Sequence, residues 1–323
     1  MHLHYLRYAV EVARCRSITK AAAKLFISQP NLSRAIRELE EEFGAPIFQR
    51  TPAGMLPTVQ GEAFLSHAQT VLQQMEEIRL LGHPEQGEHR LVLNLSVPRA
   101  SYIAHAFTET IAAARDSQKI CINYFESNSM QAIGNIHSGV SSLAIVRFTL
   151  ESRSVMETML RGAGLDFRPV MDFTPVVLLS RRHPLASQPS ITREMLRDSI
   201  EILHGDPFIP SLSPILHGQA SPTPEFSSER SIRIYERGSQ FDLLRDVPST
   251  FMWVSPMPRR QLDCNELVQL RCSDLSIRYR DILICRKGHR FTAAERSFID
   301  RLEQSIQQVL ALIGEDPNVP YQK

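Results

Sequence analysis

The 323-residue chain has little of what would mark a secreted, membrane-bound or metal-built protein. Its five cysteines, Cys15, Cys121, Cys264, Cys272 and Cys285, form no C-x-x-C pair. Their odd number and spacing argue for reduced thiols, against a disulfide framework and against a zinc site. No apolar run approaches the roughly 20 residues of a membrane span. No signal peptide opens the chain either, so a cytoplasmic protein without membrane contact is expected. Net charge is only +1, which excludes a polycation that grips nucleic acid indiscriminately. G-x-S-x-G, H-E-x-x-H and G-x-x-x-x-G-K are all missing, and the eleven histidines show no metal-ligand spacing. Hence no enzyme activity, metal or cofactor is expected. At 43% hydrophobic residues the chain can build real cores, and its length suggests two or three domains.

What is present is most concentrated in residues 17–50. Ser17 and Thr19 are N-cap candidates ahead of a run of strong helix formers, Lys20 to Leu25. Ile27-Ser28-Gln29 makes a turn, and Pro30 fits the first turn of a second helix, where no intrahelical donor is lost. Leu32, Ala35, Ile36 and Leu39 then recur at helical spacing and give that helix one apolar face. Gly44 can end it, and Pro46 prevents its continuing. A rod held out in this way fits the DNA major groove. Its leading residues, Ser28, Gln29, Pro30, Asn31 and Ser33, present small polar groups to base edges and phosphates, and Arg34 and Arg37 add charge. The plain alternative is a helical hairpin with a solvated polar face. Residues 1–58 carry eight Lys/Arg against five Glu, four of which cluster between Glu38 and Glu42, so the remaining face is basic. Residues 47–51 and 55–57 read as two short strands around Pro52-Ala53-Gly54. They form a wing that brings Arg50 and Thr51 to phosphate or the minor groove, or else a solvated turn.

The run from Phe26 to Glu40, FISQPNLSRAIRELE, with Gly44, Ile47-Phe48-Gln49-Arg50 and Leu56-Pro57-Thr58-Val59-Gln60-Gly61 behind it, resembles the N-terminal domain of LysR-type transcriptional regulators. The resemblance runs from about Leu3 to Gly61. It implies a winged helix-turn-helix that binds double-stranded DNA. Arg16 departs from it, standing where the family usually has glycine; several solutions exist there, so little cost is expected.

Thr58 begins a long helix that runs to about Leu81, because no glycine follows Gly61 until Gly82 and no proline interrupts it before Pro84. Phe64, Ala68, Val71, Met75 and Ile78 recur at four, three, four and three residues. That is a seam for a second copy of the helix, and hence a homodimer, since no partner helix is adjacent in sequence. The alternative is packing on the chain's own core. The resemblance adds a homotetramer, a dimer of dimers. Residues 82–88 read as a hinge.

Beyond the hinge, apolar strands and helices alternate, which implies α/β architecture with a mainly parallel sheet. Residues 206–224 carry five prolines, Pro207, Pro210, Pro214, Pro222 and Pro224, and read as irregular. More weakly, residues 91–101, 127–147 and 175–186 resemble the family's effector-binding domain, which is like periplasmic solute-binding proteins: two α/β subdomains crossed twice by the chain. Ser142, where the family usually has aspartate, and 247–251, in place of a glycine-rich stretch, depart from it. The expected organisation is 1–58 winged helix-turn-helix, 59–88 linker helix and hinge, and 89–323 effector-binding domain. Subdomain I would take 89–166 and 271–313, and subdomain II 167–270, with crossings near Phe167 and Arg271.

Ligands of open α/β sheets sit at strand carboxyl ends. The candidates there are Ser96, Pro98, Arg99 and Ser101 after one strand, Ser129 and Arg147 near two others, and His204 and Gly238 in the second subdomain. Hydroxyls, helix ends and arginines suit a small carboxylate effector. The competing reading makes the serines caps and the arginines ion pairs. Two rivals complete the functional expectations: a thiol- or peroxide-responsive regulator using Cys264 and Cys272, and an α/β enzyme or solute-binding protein.

Overall fold

A computed structural model describes residues 2–52, 54–81, 90–115, 119–205, 212 and 230–314. The expected hinge at 82–88 and nearly all of the proline-bearing stretch lie outside the described residues. The chain divides into two compact units, residues 1–90 with 137–140, and 91–136 with 141–323.

In the first unit α1 (Leu3–Cys15), α2 (Ile18–Leu25) and α3 (Gln29–Phe43) precede a hairpin, β1 (Phe48–Thr51) and β2 (Gly54–Pro57), and a long helix, α4 (Val59–Leu81). Leu32, Ile36 and Leu39 of α3 are buried with Leu6, Ala9 and Val12 of α1 and Ala21 and Ala22 of α2. Gly44 ends α3 at φ +80°, and Gly61 is required by a close approach: a Cβ there would come within 1.9 Å of the Ile47 carbonyl oxygen. Arg16 closes α1 at φ +50°, in the left-handed region. The expectation that a non-glycine residue costs little there is therefore corrected, since that conformation costs about 1–2 kcal/mol with a side chain.

The seam expectation is corrected in its first half. Phe64 and Ala68 are buried in the unit's own core, because α1 supplies the partner helix that adjacency in sequence hid. Val71, Met75 and Ile78 remain 37%, 41% and 67% exposed and still form an apolar stripe.

The second unit holds two five-stranded sheets. The first is built from β3 (Arg90–Val97), β4 (Lys119–Glu126), β5 (Leu143–Thr149), β6 (Leu165–Phe173) and β12 (Tyr279–Arg286), ordered β4-β3-β5-β12-β6. The second is built from β7 (Val176–Ser180), β8 (Ile200–His204), β9 (Ser231–Ile234), β10 (Thr250–Val254) and β11 (Leu267–Leu270), ordered β11-β7-β10-β8-β9. The helices are α5 (Ser101–Ala113), α6 (Ser129–Ser138), α7 (Arg153–Gly162), α8 (Gln240–Asp246), α9 (Arg259–Cys264) and α10 (Ala293–Ile313).

These sheets are mixed, not mainly parallel. β3 runs parallel to β5, and β8 parallel to β9 and β10, but β12 is antiparallel to β5 and β6, and β7 antiparallel to β10 and β11. The two antiparallel intruders, β7 and β12, are the strands that enter each sheet after the chain has crossed. The first crossing falls at 174–175, beyond the expected Phe167, because β6 pairs with β12 from Leu165↔Arg286 to Phe173↔Tyr279. β6 is an edge strand, so Asp166, Arg168 and Asp172 interrupt its apolar pattern, and Pro169 sits beside an irregularity in the pairing. The second crossing occupies 271–278, between β11 and β12. The last helix starts as read from sequence: Thr292 and Glu295 form a capping box.

Candidate functional sites

Two serines cap the helices on either side of the turn, Ser17 at α2 and Ser28 at α3. Ser17 accepts from the Lys20 amide and Ser28 from the Asn31 amide, both at 3.4 Å. Gln29, Pro30, Asn31, Arg34, Arg37 and Arg50 are exposed, whereas Ser33 is half-buried. Ser28 is thus occupied as a cap, and the Thr51 hydroxyl donates to the Gly54 carbonyl at 3.0 Å, closing the wing. The wing is also pinned from α3, where Glu40 accepts from the Ile47 and Phe48 amides at 2.8 and 2.9 Å. Glu38 takes Arg34 Nε at 2.8 Å and the Tyr5 hydroxyl at 2.9 Å. Those two hydrogen bonds, Arg34 first, hold its carboxyl below the usual range. Arg34 therefore leaves α3 braced by Tyr5 through Glu38. Sequence reasoning misses Phe26, which is 95% exposed and left-handed in the turn itself; its apolar size at a helix end is the signal.

In the second unit a cavity of about 390 Å³ opens between the two sheets. Pro98, Arg99, Ser101, Ser129, Arg147 and His204 line it, as expected from their strand-end positions. Two expected residues do not. Ser96 is fully buried and bonded to Ser141 Oγ at 2.7 Å and Asn135 Nδ2 at 2.8 Å. Its position inside the β3 strand, short of the carboxyl end, explains this. Gly238 lies off the cavity, its amide donating to Glu236 in its own loop.

Arg147 is corrected as a free anion anchor. Its Nε and Nη2 donate to the two oxygens of Asp281 at 2.7 and 2.6 Å, and its third contact is the Arg99 carbonyl at 3.3 Å. Asp281 is fully buried and also takes the Tyr102 hydroxyl. Burial opposes the Arg147 charge, but Asp281 more than offsets it and raises the guanidinium pKa. The same guanidinium lies 4.8 Å over the Phe173 ring, which stacks on Tyr279 at 5.7 Å. Phe173 ends β6 just before the first crossing, and Tyr279 begins β12 just after the second. Arg147 thus ties β5 to both strands that flank the crossings. The Ser129 hydroxyl is also committed, donating to the Arg147 carbonyl at 2.7 Å and accepting from its amide at 3.0 Å.

Other groups remain for a ligand. The Ser127 hydroxyl and Gln240 Oε1 are buried and find no hydrogen-bond partner among the described residues, and both residues line the cavity. α5 begins at its edge with Ala100 as an N-cap that offers no side-chain bond, leaving first-turn amides open. Arg99 and Arg237 line the cavity from opposite sheets, although Glu126 accepts a bond from each, and Phe241, Met252, Trp253 and Met257 provide an apolar wall. Arg237 and Gln240 fall in a polar stretch after β9 that sequence periodicity does not single out.

Residues 3–62 match the model for the bacterial regulatory helix-turn-helix protein, lysR family. The Hca operon transcriptional activator HcaR of Escherichia coli (strain K12) is 31% identical over 218 residues, 67% of this chain and 69% of that protein. The chain belongs to the LysR family of transcriptional regulators. The regulator BudR of Raoultella terrigena is 27% identical over 223 residues, covering 68% of this LysR-family chain and 71% of BudR. Two solved structures share its fold. A full-length OxyR variant from Pseudomonas aeruginosa has a TM-score of 0.60 at 20% identity, covering 100% of this chain and 99% of that one. Full-length CbnR in complex with its target DNA has a TM-score of 0.58 at 15% identity, covering 94% and 100%. Among the described residues, no helix of this regulator is long and apolar enough to cross a membrane.

The cysteines do not favour the thiol rival. Cys272 is buried and donates to Asp274 at 2.9 Å; burial, then Asp274, pushes its thiol up to about 12, while Cys264 is exposed. A thiol so protonated at neutral pH is a poor nucleophile.

Proposed function

We propose that this regulator reads DNA with the exposed edge of α3 and is switched by a small carboxylate with an apolar body, bound in the cleft of the second unit. It works in the cytoplasm on double-stranded DNA, as a regulator and not a catalyst. The carrying observation is the cleft's composition: two arginines, an apolar wall and two buried polar atoms that have no partner among the described residues, within one cavity of about 390 Å³, a ligand-sized volume. Gln29, Asn31, Arg34 and Arg37 face base edges and phosphates, Phe26 adds an apolar contact in the turn, and Arg50 meets the backbone from the wing. The stripe Val71, Met75 and Ile78 joins two chains, and pairs of such dimers form the tetramer.

A ligand closing the cleft changes regulation by binding one conformation better than another, and the crossings fastened by Arg147 are the hinge. Ser127 and Gln240 favour a body that carries a hydroxyl, since an unpaired buried acceptor costs about 1–3 kcal/mol. Trp253 is the chain's single tryptophan and lies in the wall, so its fluorescence reads the site directly. The test titrates the full-length protein with 4-hydroxybenzoate, benzoate and benzamide. The reading requires 4-hydroxybenzoate to bind tightest and the neutral amide weakest. Emission indifferent to all three removes the cleft as a carboxylate site.

A further inference from the structure

Glu126 ends β4 in the first sheet, yet its carboxylate is shared by arginines from both sides of the cleft. Its Oε2 accepts from Arg99 Nε at 2.9 Å, and its Oε1 accepts from Arg237 Nη1. Arg99 follows β3 of the first sheet, and Arg237 follows β9 of the second. Both arginines line the cavity, while Glu126 does not. The side chains of Arg99 and Glu126 are only 12% and 16% exposed, and that of Arg237 30%, so the group is largely sheltered from water. Arg99 Nη1 also contacts His204 at the end of β8, tying the second sheet to the same cluster. Glu236 lies close enough to feel Arg99, but its own carboxylate is held by Ser239, through side chain and backbone, and by the Gly238 amide.

We propose that Glu126 is a built-in carboxylate ligand of the Arg99–Arg237 pair, so that an effector carboxylate must displace it, and Glu126 thereby sets both the effector threshold and the preference for an anion. The inference rests on the cleft being the effector site. Chemically, a carboxylate placed between two guanidiniums accepts the same charge-assisted bonds whether it is tethered or free. The tether gives Glu126 a high effective concentration, so a free ligand wins only if its body adds burial in the apolar wall. Formate or acetate, having almost no body, should therefore be excluded, and larger carboxylates admitted.

Glu126 also bridges the two sheets, and a bridge can act as a latch without being a competitor. The two roles separate when each side of the ion pair is removed in turn. Glu126→Gln and Arg237→Gln break the same bridge. If Glu126 competes, the first variant tightens benzoate and the second weakens it. If it is only a latch, both shift benzoate in one direction. The experiment is a Trp253 fluorescence titration of full-length wild type, E126Q and R237Q with benzoate, acetate and benzamide, after thermal unfolding has checked each fold. The expected result is a benzoate Kd at least about tenfold lower in E126Q and about tenfold higher in R237Q, with benzamide nearly unchanged, corresponding to about 1.4 kcal/mol each way. Shifts of one sign in both variants, or an equal gain for benzamide in E126Q, overturn the proposal. So does a wild-type benzoate response that E126Q leaves unaltered, and in that case the effector reading stands. Silence toward all three probes in all three proteins overturns the effector reading and the proposal with it. Should E126Q fail to fold, R237Q decides alone: unchanged or tighter benzoate binding rejects the competitor.

Discussion

Arg34, Arg37 and Arg50 stand exposed on the first unit, whereas the side chains of Arg147 and Arg280 in the second are only 9% and 6% exposed, each gripping both oxygens of a carboxylate on a neighbouring strand. An exposed guanidinium keeps most of its hydration and can leave donors for DNA. A buried one must be neutralised by the protein itself, and what neutralises it is then unavailable to a ligand. The same contrast holds for apolar groups. The first unit leaves Val71, Met75 and Ile78 in solvent, while the second encloses Tyr102, Phe173 and Phe298. One unit leaves such groups in solvent, and the other withholds its own inside.

The largest effect that would break this contrast concerns the exposed stripe. Val71→Asp with Met75→Asp removes two apolar groups from each chain of the proposed dimer, worth roughly 1.5–3 kcal/mol apiece where fully buried. Light scattering should show the assembly falling to a smaller mass while the second unit keeps its melting transition. An unchanged mass would mean that the stripe has no partner. Next comes the buried pair. Arg147→Ala leaves Asp281 enclosed and uncompensated, so urea unfolding of the second unit should lose about 3–5 kcal/mol. Replacing both partners by apolar residues should recover much of that loss. Arg34→Ala, by comparison, should alter stability by less than about 0.5 kcal/mol.

A smaller effect belongs to the wing. Arg50→Ala should weaken binding to all DNA sequences alike and reduce the salt slope by about 1. Lost preference at a single base pair would instead move Arg50 from the phosphates to a base edge. The smallest is local to the first unit: Arg16→Gly should raise its stability by about 1 kcal/mol, because glycine adopts the observed φ of +50° without strain.

The legibility of the sequence follows the same division. α3 is readable because Leu32, Ala35, Ile36 and Leu39 repeat along one local face, and α10 because Thr292 and Glu295 signal within three residues of each other. Arg147 and Asp281 are 134 positions apart, so nothing local announces their pairing. One signal is available: Arg280-Asp281 interrupts a strand that otherwise reads Tyr279 and Ile282-Leu283-Ile284-Cys285, and a charge inside such a run demands a partner. β6 is hidden because an edge strand does not bury both faces. Phe64 and Ala68 look intermolecular in the sequence because their true neighbour, α1, is remote along the chain. In the cleft the strand-end rule finds Pro98, Arg99, Ser101, Ser129, Arg147 and His204, but it reaches neither Arg237 nor Gln240, which precede or open a short helix without periodic pattern.

Occupancy of the cleft in the second unit should govern DNA binding by the first. The direct measurement follows two signals in one titration of the full-length protein: Trp253 emission, and fluorescence anisotropy of operator DNA recovered by genomic footprinting. The ligand is whichever carboxylate gives the strongest Trp253 response. Control of the first unit by the cleft predicts that operator binding changes with the same midpoint as the Trp253 signal. A saturating Trp253 response that leaves operator binding unmoved would contradict it.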